Sequence, residues 1–502
     1  MSLCLPATNE ILAHAPMEYA RHQPEKTLLY QVIDTYYPEF LSHLSESDKT
    51  LPVYVQKEFE AYLKCGRLEH GFFRVQCESC HDEHLLAFSC KCRGFCPSCG
   101  AKRMVESAAL LVDSVLPYRP IRQWVLSVPF PLRWLFSSDS RLLGKALGIV
   151  TRAISSYLIK KTGFSHKTAK TGAVTLIQRF GSALNLNVHF HMLFLDGVYD
   201  VASGTLGHFH SIKPPTPGEM VILLHRISER IARLLEQEGF LERDMEQGTL
   251  LLDGVEDCVM NELQGSSITY RIAIGAQRGR KVFTLQTLPA MVESLDTHGQ
   301  ILSKAGGFSL HAGVSAKAHQ RDKVERLCRY ISRPAVSTKR LKRLPDGRIS
   351  YELKTPYKNG TTHVLFEPLD FIARLTALVP KPRVHLTRFH GVFAPNSKYR
   401  SVVTGESQAK QSKSARIEGR REVCEPRKAM NWAMRLKRVF NIDITVCKRC
   451  HGAVKIIACI EDRHVIDKIL AHINRQQNTL IPVIATIGIR APPTDIYSRI
   501  NH

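Results

Sequence analysis

Apolar residues recur at helical spacing near the start of the chain: Tyr30, Ile33, Tyr36, Tyr37 and Phe40, then Val55, Phe59 and Leu63. Residues 1–70 therefore read as helical, and a further helix is expected from Ala101 to about Leu116. The period then changes. Residues 121–128 read as a strand stopped by Pro129, and 139–161 as a long amphipathic helix. Residues 173–180 and 184–195 read as two strands joined by a very short connection at Gly181-Ser182, hence a hairpin. The next helix, 217–238, is bounded by its own chemistry. Thr216 caps it, Pro217 takes the first helical position, Glu219 completes a capping box and Gly239 follows the end. A strand-like segment, 308–315, precedes a helix over about 320–333 that ends before Pro334. The order strand–helix–strand–strand–helix–strand is the split βαβ, ferredoxin-like arrangement. The expected class is α+β with an antiparallel sheet.

Domain boundaries follow from the same reading. Residues 1–115 form a helical N-terminal region that includes a cysteine module at about 65–104. Residues 116–400 form the main domain, with an insertion at about 240–305. A polar stretch, 401–428, reads as a linker, and 429–502 as a small C-terminal domain.

Composition adds one unusual feature. The chain has 502 residues, with 44% hydrophobic and 23% charged residues, which suits buried cores. Its net charge of +23 points to a polyanionic partner, most simply nucleic acid. No run of 18 apolar residues exists, so no membrane-spanning helix is expected. The N-terminus lacks a charged segment followed by an apolar one, so secretion is not expected and a cytoplasmic location is.

The cysteines are concentrated. Six of the 14 lie in Cys77-Glu-Ser-Cys80, Cys90-Lys-Cys92 and Cys96-Pro-Ser-Cys99. Two CxxC pairs across a short loop have metal-ligand spacing, and in a chain that is not secreted they read as ligands for Zn²⁺. Cys77, Cys80, Cys96 and Cys99 make the most economical four-thiolate site, with Cys90 and Cys92 as alternative ligands. Neighbouring Arg93 and Arg103 suggest contact with DNA. Cys447-Lys-Arg-Cys450 is half a zinc site, to which the sequence assigns no metal.

The strand at 184–195 carries the other candidate chemistry. Leu184, Leu186, Val188, Phe190, Met192 and Phe194 make one face, and Asn185, Asn187, His189 and His191 begin the other. Two imidazoles roughly 7 Å apart on one strand face can converge on one divalent cation. In the helix at 320–333, Val324, Leu327, Cys328 and Ile331 form the apolar stripe. Tyr330 lies at its edge beside Arg326 and Lys323, groups that can hold phosphate. These parts fit one reaction on single-stranded DNA. A cation held by His189 and His191 orients a phosphodiester, and Tyr330 attacks it.

The chain resembles rolling-circle transposases of the insertion-sequence ninety-one group, particularly the common-region branch, which are HUH (His–hydrophobic–His) endonucleases. The matching segments begin with the cysteine block, Phe180-Gly-Ser-Ala-Leu-Asn-Leu-Asn-Val-His189-Phe-His191 and Leu327-Cys-Arg-Tyr330-Ile-Ser-Arg-Pro334. Thr361-Thr-His-Val-Leu-Phe-Glu-Pro-Leu-Asp and His390-Gly-Val-Phe-Ala-Pro-Asn396 complete them. The resemblance implies that His189 and His191 bind Mg²⁺ or Mn²⁺, with Gln178 or His311 as a third ligand, and that Tyr330 is the nucleophile. It implies a 5′-phosphotyrosyl intermediate, and single-stranded DNA at the element ends and target DNA as partners. Arg326, Lys323, Arg329 and Arg333 are the expected DNA contacts on the tyrosine helix. Two-tyrosine members carry a second tyrosine where this chain has Arg326, so the chain resembles the single-tyrosine branch. The second strand transfer would then re-use Tyr330 or draw on a second protomer of a homo-oligomer. The alternative is a zinc-containing DNA-binding regulator without catalysis, which leaves His189, His191 and Tyr330 without a role. A metal hydrolase of the amidohydrolase type would need repeated βα units that this chain does not show.

Overall fold

Every residue of the 188–195 segment is buried, so its alternation separates two covered faces rather than a wet face from a dry one. A computed structural model describes residues 23–202, 204–243, 248–250, 258–288, 302–404, 446–447 and 449–478. The expected linker lies outside the described residues from 405 onward, as does the start of the helical N-terminal region. In chain order, the elements that position the site begin with helices α1 (Leu28–Ser45) and α2 (Val53–Lys64) and strands β1 (Phe72–Cys77) and β2 (Glu83–Ala87). They continue with α3 (Pro97–Leu110), β3 (Ile121–Ser127), α4 (Ser140–Lys161), β4 (Gly172–Phe180), β5 (Leu186–Leu195) and α5 (Pro217–Gln237). Next come β6 (Leu302–Ala305), β7 (Phe308–Ala316), α6 (Arg321–Ile331), α7 (Pro368–Leu378), β8 (Thr387–Gly391), β9 (Val454–Ile460) and α8 (Arg463–Asn478).

The described chain divides into two units. The smaller is built from residues 65–89 and the described residues from 446 onward, and the larger from residues 25–64 and 90–404. The expected boundary at 115 falls within the larger unit, and the described residues from 446 onward group with residues 65–89. Residues of α1 and α2 pack with the larger unit through aromatic contacts: Tyr37 stacks on Phe59 at 4.3 Å, and Phe95 meets Phe59 at 4.7 Å. In the smaller unit, β9 pairs antiparallel with β1, which also pairs with β2.

The larger unit is organised by a six-stranded antiparallel sheet of order β6-β7-β3-β5-β4-β8. β3 and β4 are joined through α4 yet separated by β5, and β5 and β7 are joined through α5 yet separated by β3. The β4–β5 hairpin forms as expected. Its turn is closed by the Gly181 N–H donating to Asn185 O at 2.9 Å, with Leu184 at a φ of 56°. Gly181 is required there, because a Cβ would lie 2.3 Å from Asn185 Oδ1. The expected capping box is also formed: Thr216 accepts from the Glu219 N–H and Glu219 accepts from the Thr216 N–H. Asp139 caps α4 by accepting from the Arg141 and Leu142 N–H groups.

One sheet face carries Ile121, Val174, Leu176, Leu193 and Leu195 against α3 and α6, which contribute Ala108, Val324, Leu327, Cys328 and Ile331. The other carries Trp124, Phe190, Met192 and Phe194, also fully buried. By length and hydropathy α4 could span a membrane, but Leu142, Leu147, Val150, Ile154 and Leu158 are buried within the protein. Between residues 240 and 305, the described part holds a helix (Val259–Ile268) and the strand Phe283–Gln286. That strand joins a second sheet, in the order Phe283–Gln286, Thr361–Phe366, Ile349–Glu352, Leu341–Arg343.

Candidate active site and metal centres

His189 and His191 leave β5 on the face covered by α6 and α3, and their Nε2 atoms approach to 3.1 Å. Each ring is fixed by its other nitrogen. His189 Nδ1 donates to Asn187 O at 2.8 Å, and His191 Nδ1 lies 2.7 Å from the Gln123 side-chain amide on β3. Both imidazoles are almost fully buried, 9% and 5% exposed. Burial holds His189 down to about 4 and His191 well below its ordinary range, the second with help from its neighbour. Both rings are therefore neutral at pH 7, the form a metal ligand requires.

Tyr330 projects from α6 toward this pair. Its ring stands perpendicular to that of His191, with centroids 6.4 Å apart. Of the two cations at its ring, Arg333 is among the expected contacts and Lys354 is not. Arg333 lies 4.4 Å over the ring and Lys354 4.6 Å from its centre, whereas Arg326 is exposed and Lys323 half-buried. Arg333 also donates to the Tyr330 carbonyl and lies over Phe180. Arg329 pairs with Glu325 at 3.9 Å. Lys354 follows the strand Ile349–Glu352 and Gln123 sits on β3, and neither carries a spacing signal relative to the histidines. For Gln123, the one available signal is its place beside Arg122 as a polar residue in the short strand Ile121-Arg-Gln-Trp-Val-Leu126.

The two candidates for a third ligand sit differently. Gln178 is buried and directly opposite His189 in the β4–β5 register, and its side-chain amide donates to Ile331 O at 3.4 Å. His311 is in register with Val125, which is in register with His191. It is therefore two strand spacings, about 10 Å, from His191.

Five of the six clustered thiols separate into two groups, and the set Cys77, Cys80, Cys96, Cys99 is not brought together. Cys77 and Cys80 lie with Cys447 and Cys450, and Cys90, Cys96 and Cys99 lie with one another; in each group all sulfurs are within 4.8 Å of one another. Phe95 anchors the Cys90–Cys99 loop against Phe59 and Tyr62. Ligand spacing is a local rule, so it joined neighbouring pairs that the fold assigns to different partners. The Cys92 thiol instead faces the Glu58 carbonyl at 3.9 Å. Arg103 donates to the carbonyls of Lys91 and Cys92, and Arg93 to those of Val384 and Lys381, so both arginines brace this loop. The chemistry of both groups fits Zn²⁺. A tetrahedral ion with Zn–S bonds of ~2.3 Å places its sulfurs about 3.8 Å apart. The closest pairs here are at 3.4–3.5 Å, far beyond a disulfide bond.

Comparison with known families fits this arrangement. Residues 32–128 match the family described as "Transposase zinc-binding domain". Residues 172–400, which hold the paired histidines and Tyr330, match the family described as "Putative transposase". Both matches are to transposase families, and together they are consistent with a transposase of the insertion-sequence ninety-one family. This transposase is thus a DNA-processing enzyme with a zinc-binding region. No curated protein and no solved structure matches it.

Proposed function

We propose that this transposase nicks and rejoins single-stranded DNA in rolling-circle transposition through a covalent link to Tyr330. The observation that carries the reading is the convergence of the two Nε2 atoms beneath a tyrosine held by α6. The split βαβ order of β3, α4, β4, β5, α5 and β7 supports reading the larger unit as an HUH-type, ferredoxin-like core. His189 and His191 would hold Mg²⁺ or Mn²⁺, with Gln178 rather than His311 as the third ligand because it stands beside His189. A bound divalent ion polarises the phosphodiester and offsets its charge.

The protein's own groups do the rest. The Tyr330 hydroxyl oxygen attacks phosphorus in line, the bond to the 3′-oxygen breaks, and that oxygen leaves as the 3′-hydroxyl. The phosphodiester energy is kept in the 5′-phosphotyrosyl bond, so the strand can be rejoined elsewhere. Arg333 and Lys354 place two positive charges beside the tyrosine ring, where the phosphate becomes attached. The exposed Arg326 and the half-buried Lys323 extend this positive edge along α6. Cys90, Cys96 and Cys99 are ligands proposed for the zinc of the N-terminal region.

The test is incubation of the protein with labelled single-stranded DNA carrying its element's end, plus Mg²⁺ or Mn²⁺. A covalent protein–DNA adduct is expected for the native chain and none for Tyr330→Phe. His189→Ala and His191→Ala should abolish cleavage while leaving most DNA binding. Normal nicking by either histidine variant would exclude the metal assignment. Binding of end sequences without adduct or cleavage would favour a zinc-containing DNA-binding regulator.

A further inference from the structure

The smaller unit contains two loops of the same build. Cys77-Glu-Ser-Cys80-His81 and Cys447-Lys-Arg-Cys450-His451 share the pattern Cys-x-x-Cys-His. In the first, the Ser79 N–H donates to Cys77 Sγ at 3.4 Å, and the His81 N–H to the Cys77 carbonyl at 3.2 Å. In the second, the Arg449 N–H donates to Cys447 Sγ at 3.4 Å, and the His451 N–H to the Cys447 carbonyl at 3.0 Å. The loops also close alike, through Cys77 N–H to Asp82 O at 2.9 Å and Cys447 N–H to Gly452 O at 2.8 Å. His81 and His451 both take left-handed backbone conformations, with φ of 58° and 57°. That conformation is strained for a residue with a side chain, so its repetition asks for a compensating interaction.

The loops face each other. Cys77 Sγ lies 3.4 Å from Cys450 Sγ, and Cys80 Sγ lies 3.5 Å from Cys447 Sγ. The Glu78 N–H donates to Ala453 O at 2.8 Å, and Lys455 pairs with Glu78. Gly452 fits because it has no side chain: a Cβ there would lie 2.4 Å from Ser79 Oγ and 3.1 Å from Cys77 Sγ. From this point β1 and β9 run as a pair, beginning at Cys77 opposite Val454. The three-stranded sheet they form buries little, and Ile456 on β9 is 61% exposed. A unit with so small a core needs a staple.

We propose that Cys77, Cys80, Cys447 and Cys450 bind a second Zn²⁺ that clasps the C-terminal segment onto β1. The two N–H···S bonds stabilise thiolates, and four sulfurs from two facing turns supply a closed tetrahedral donor set. The transposase then carries two structural zinc ions, and its C-terminal segment is held in place by metal.

Zinc is measured in the purified full-length protein, which should contain two ions per chain. The doubly substituted Cys77→Ser/Cys80→Ser protein and the Cys447→Ser/Cys450→Ser protein should each contain one. Combining all four substitutions should remove no more, because both pairs serve the same ion. Cys96→Ser should remove the other ion and leave this one. Limited proteolysis should release the C-terminal segment from either double variant at least ten times faster than from the native chain. Two ions retained in Cys447→Ser/Cys450→Ser would overturn the proposal, as would loss of a separate ion by each double variant. Recovery of zinc on mixing the two double variants would place the site between chains and exclude the intramolecular clasp.

Discussion

At the scale of single residues, the paired histidines were legible because a strand puts every second side chain on one face. What tunes them was not, because Gln123 arrives from another strand. In the arrangement described, His189 Nδ1–H donates to a carbonyl, so its Nε2 carries a lone pair. His191 then donates from Nε2 to His189, and its Nδ1 accepts from the Gln123 amide N–H. Holding a cation requires lone pairs on both Nε2 atoms. A flip of the Gln123 amide supplies this, because its oxygen then accepts from His191 Nδ1–H. Gln123→Leu should therefore weaken metal-dependent cleavage about 10- to 100-fold, with the loss appearing in the Mg²⁺ or Mn²⁺ concentration dependence. Unchanged metal dependence would show that Gln123 does not set the tautomer.

His390, on β8, bonds Thr175 Oγ1 at 3.1 Å, and burial, helped by Arg388, holds it down to about 4 from 6.5. The unfolded chain protonates this histidine first, so its contribution is full above pH 6.5 and is lost as pH falls toward 4. The shift corresponds to at most about 3 kcal/mol. Denaturant unfolding at pH 7 and pH 4.5 should show His390→Gln losing less stability on acidification than the native chain. An equal loss in both proteins would remove His390 from the account.

At the scale of elements, the core helices and strands of the larger unit were legible because their boundaries carry local chemistry: Thr216, Pro217 and Glu219 for α5, Pro129 after β3, Gly181 in the hairpin. The role of each face was less so. The segment 184–195 read as one apolar and one polar face, yet α3 and α6 cover the second and leave both histidines buried. Periodicity reports chemistry along a strand and says nothing of what packs over it. The same burial encloses an ion pair that no sequence pattern marks. Arg122 on β3 forks onto Asp196 through two bonds of 2.9 and 2.7 Å and donates to Ala312 O on β7. The two side chains are 4% and 9% exposed. Asp196→Ala leaves a guanidinium buried without its counter-charge and should cost about 3–5 kcal/mol in denaturant unfolding. Replacing both members by apolar residues, Arg122→Met with Asp196→Leu, should cost less than the single change. If the double variant is the worse of the two, the pair is contributing net stability rather than merely satisfying its own burial.

At the scale of the whole molecule, the cysteine block looked like one module, and the fold divides it between two units. Cys90, Cys96 and Cys99 stay together in the larger unit, while Cys77 and Cys80 meet a pair some 370 residues away in the chain. No spacing rule reaches that far. Strand pairing between β1 and β9 is what brings the second pair in, and such pairing is written in the tertiary structure alone. The charge, by contrast, is a property of the whole sequence and was legible at once. An excess of +23 has consequences for binding that do not depend on how the units are arranged. Each phosphate neutralised on a single strand releases counterions and contributes about −0.7 to the slope of log K against log salt. A strand crossing the positive edge of α6 and contacting about six cations would have a slope near −4. Raising salt from 50 to 200 mM should then weaken binding by two to three powers of ten, read by fluorescence anisotropy with a labelled oligonucleotide. Arg326→Ala should lower the slope by about 0.7, because it removes one exposed charge from the α6 edge. A slope that is flat in the native chain, or unaltered in Arg326→Ala, would place the DNA path elsewhere on the protein.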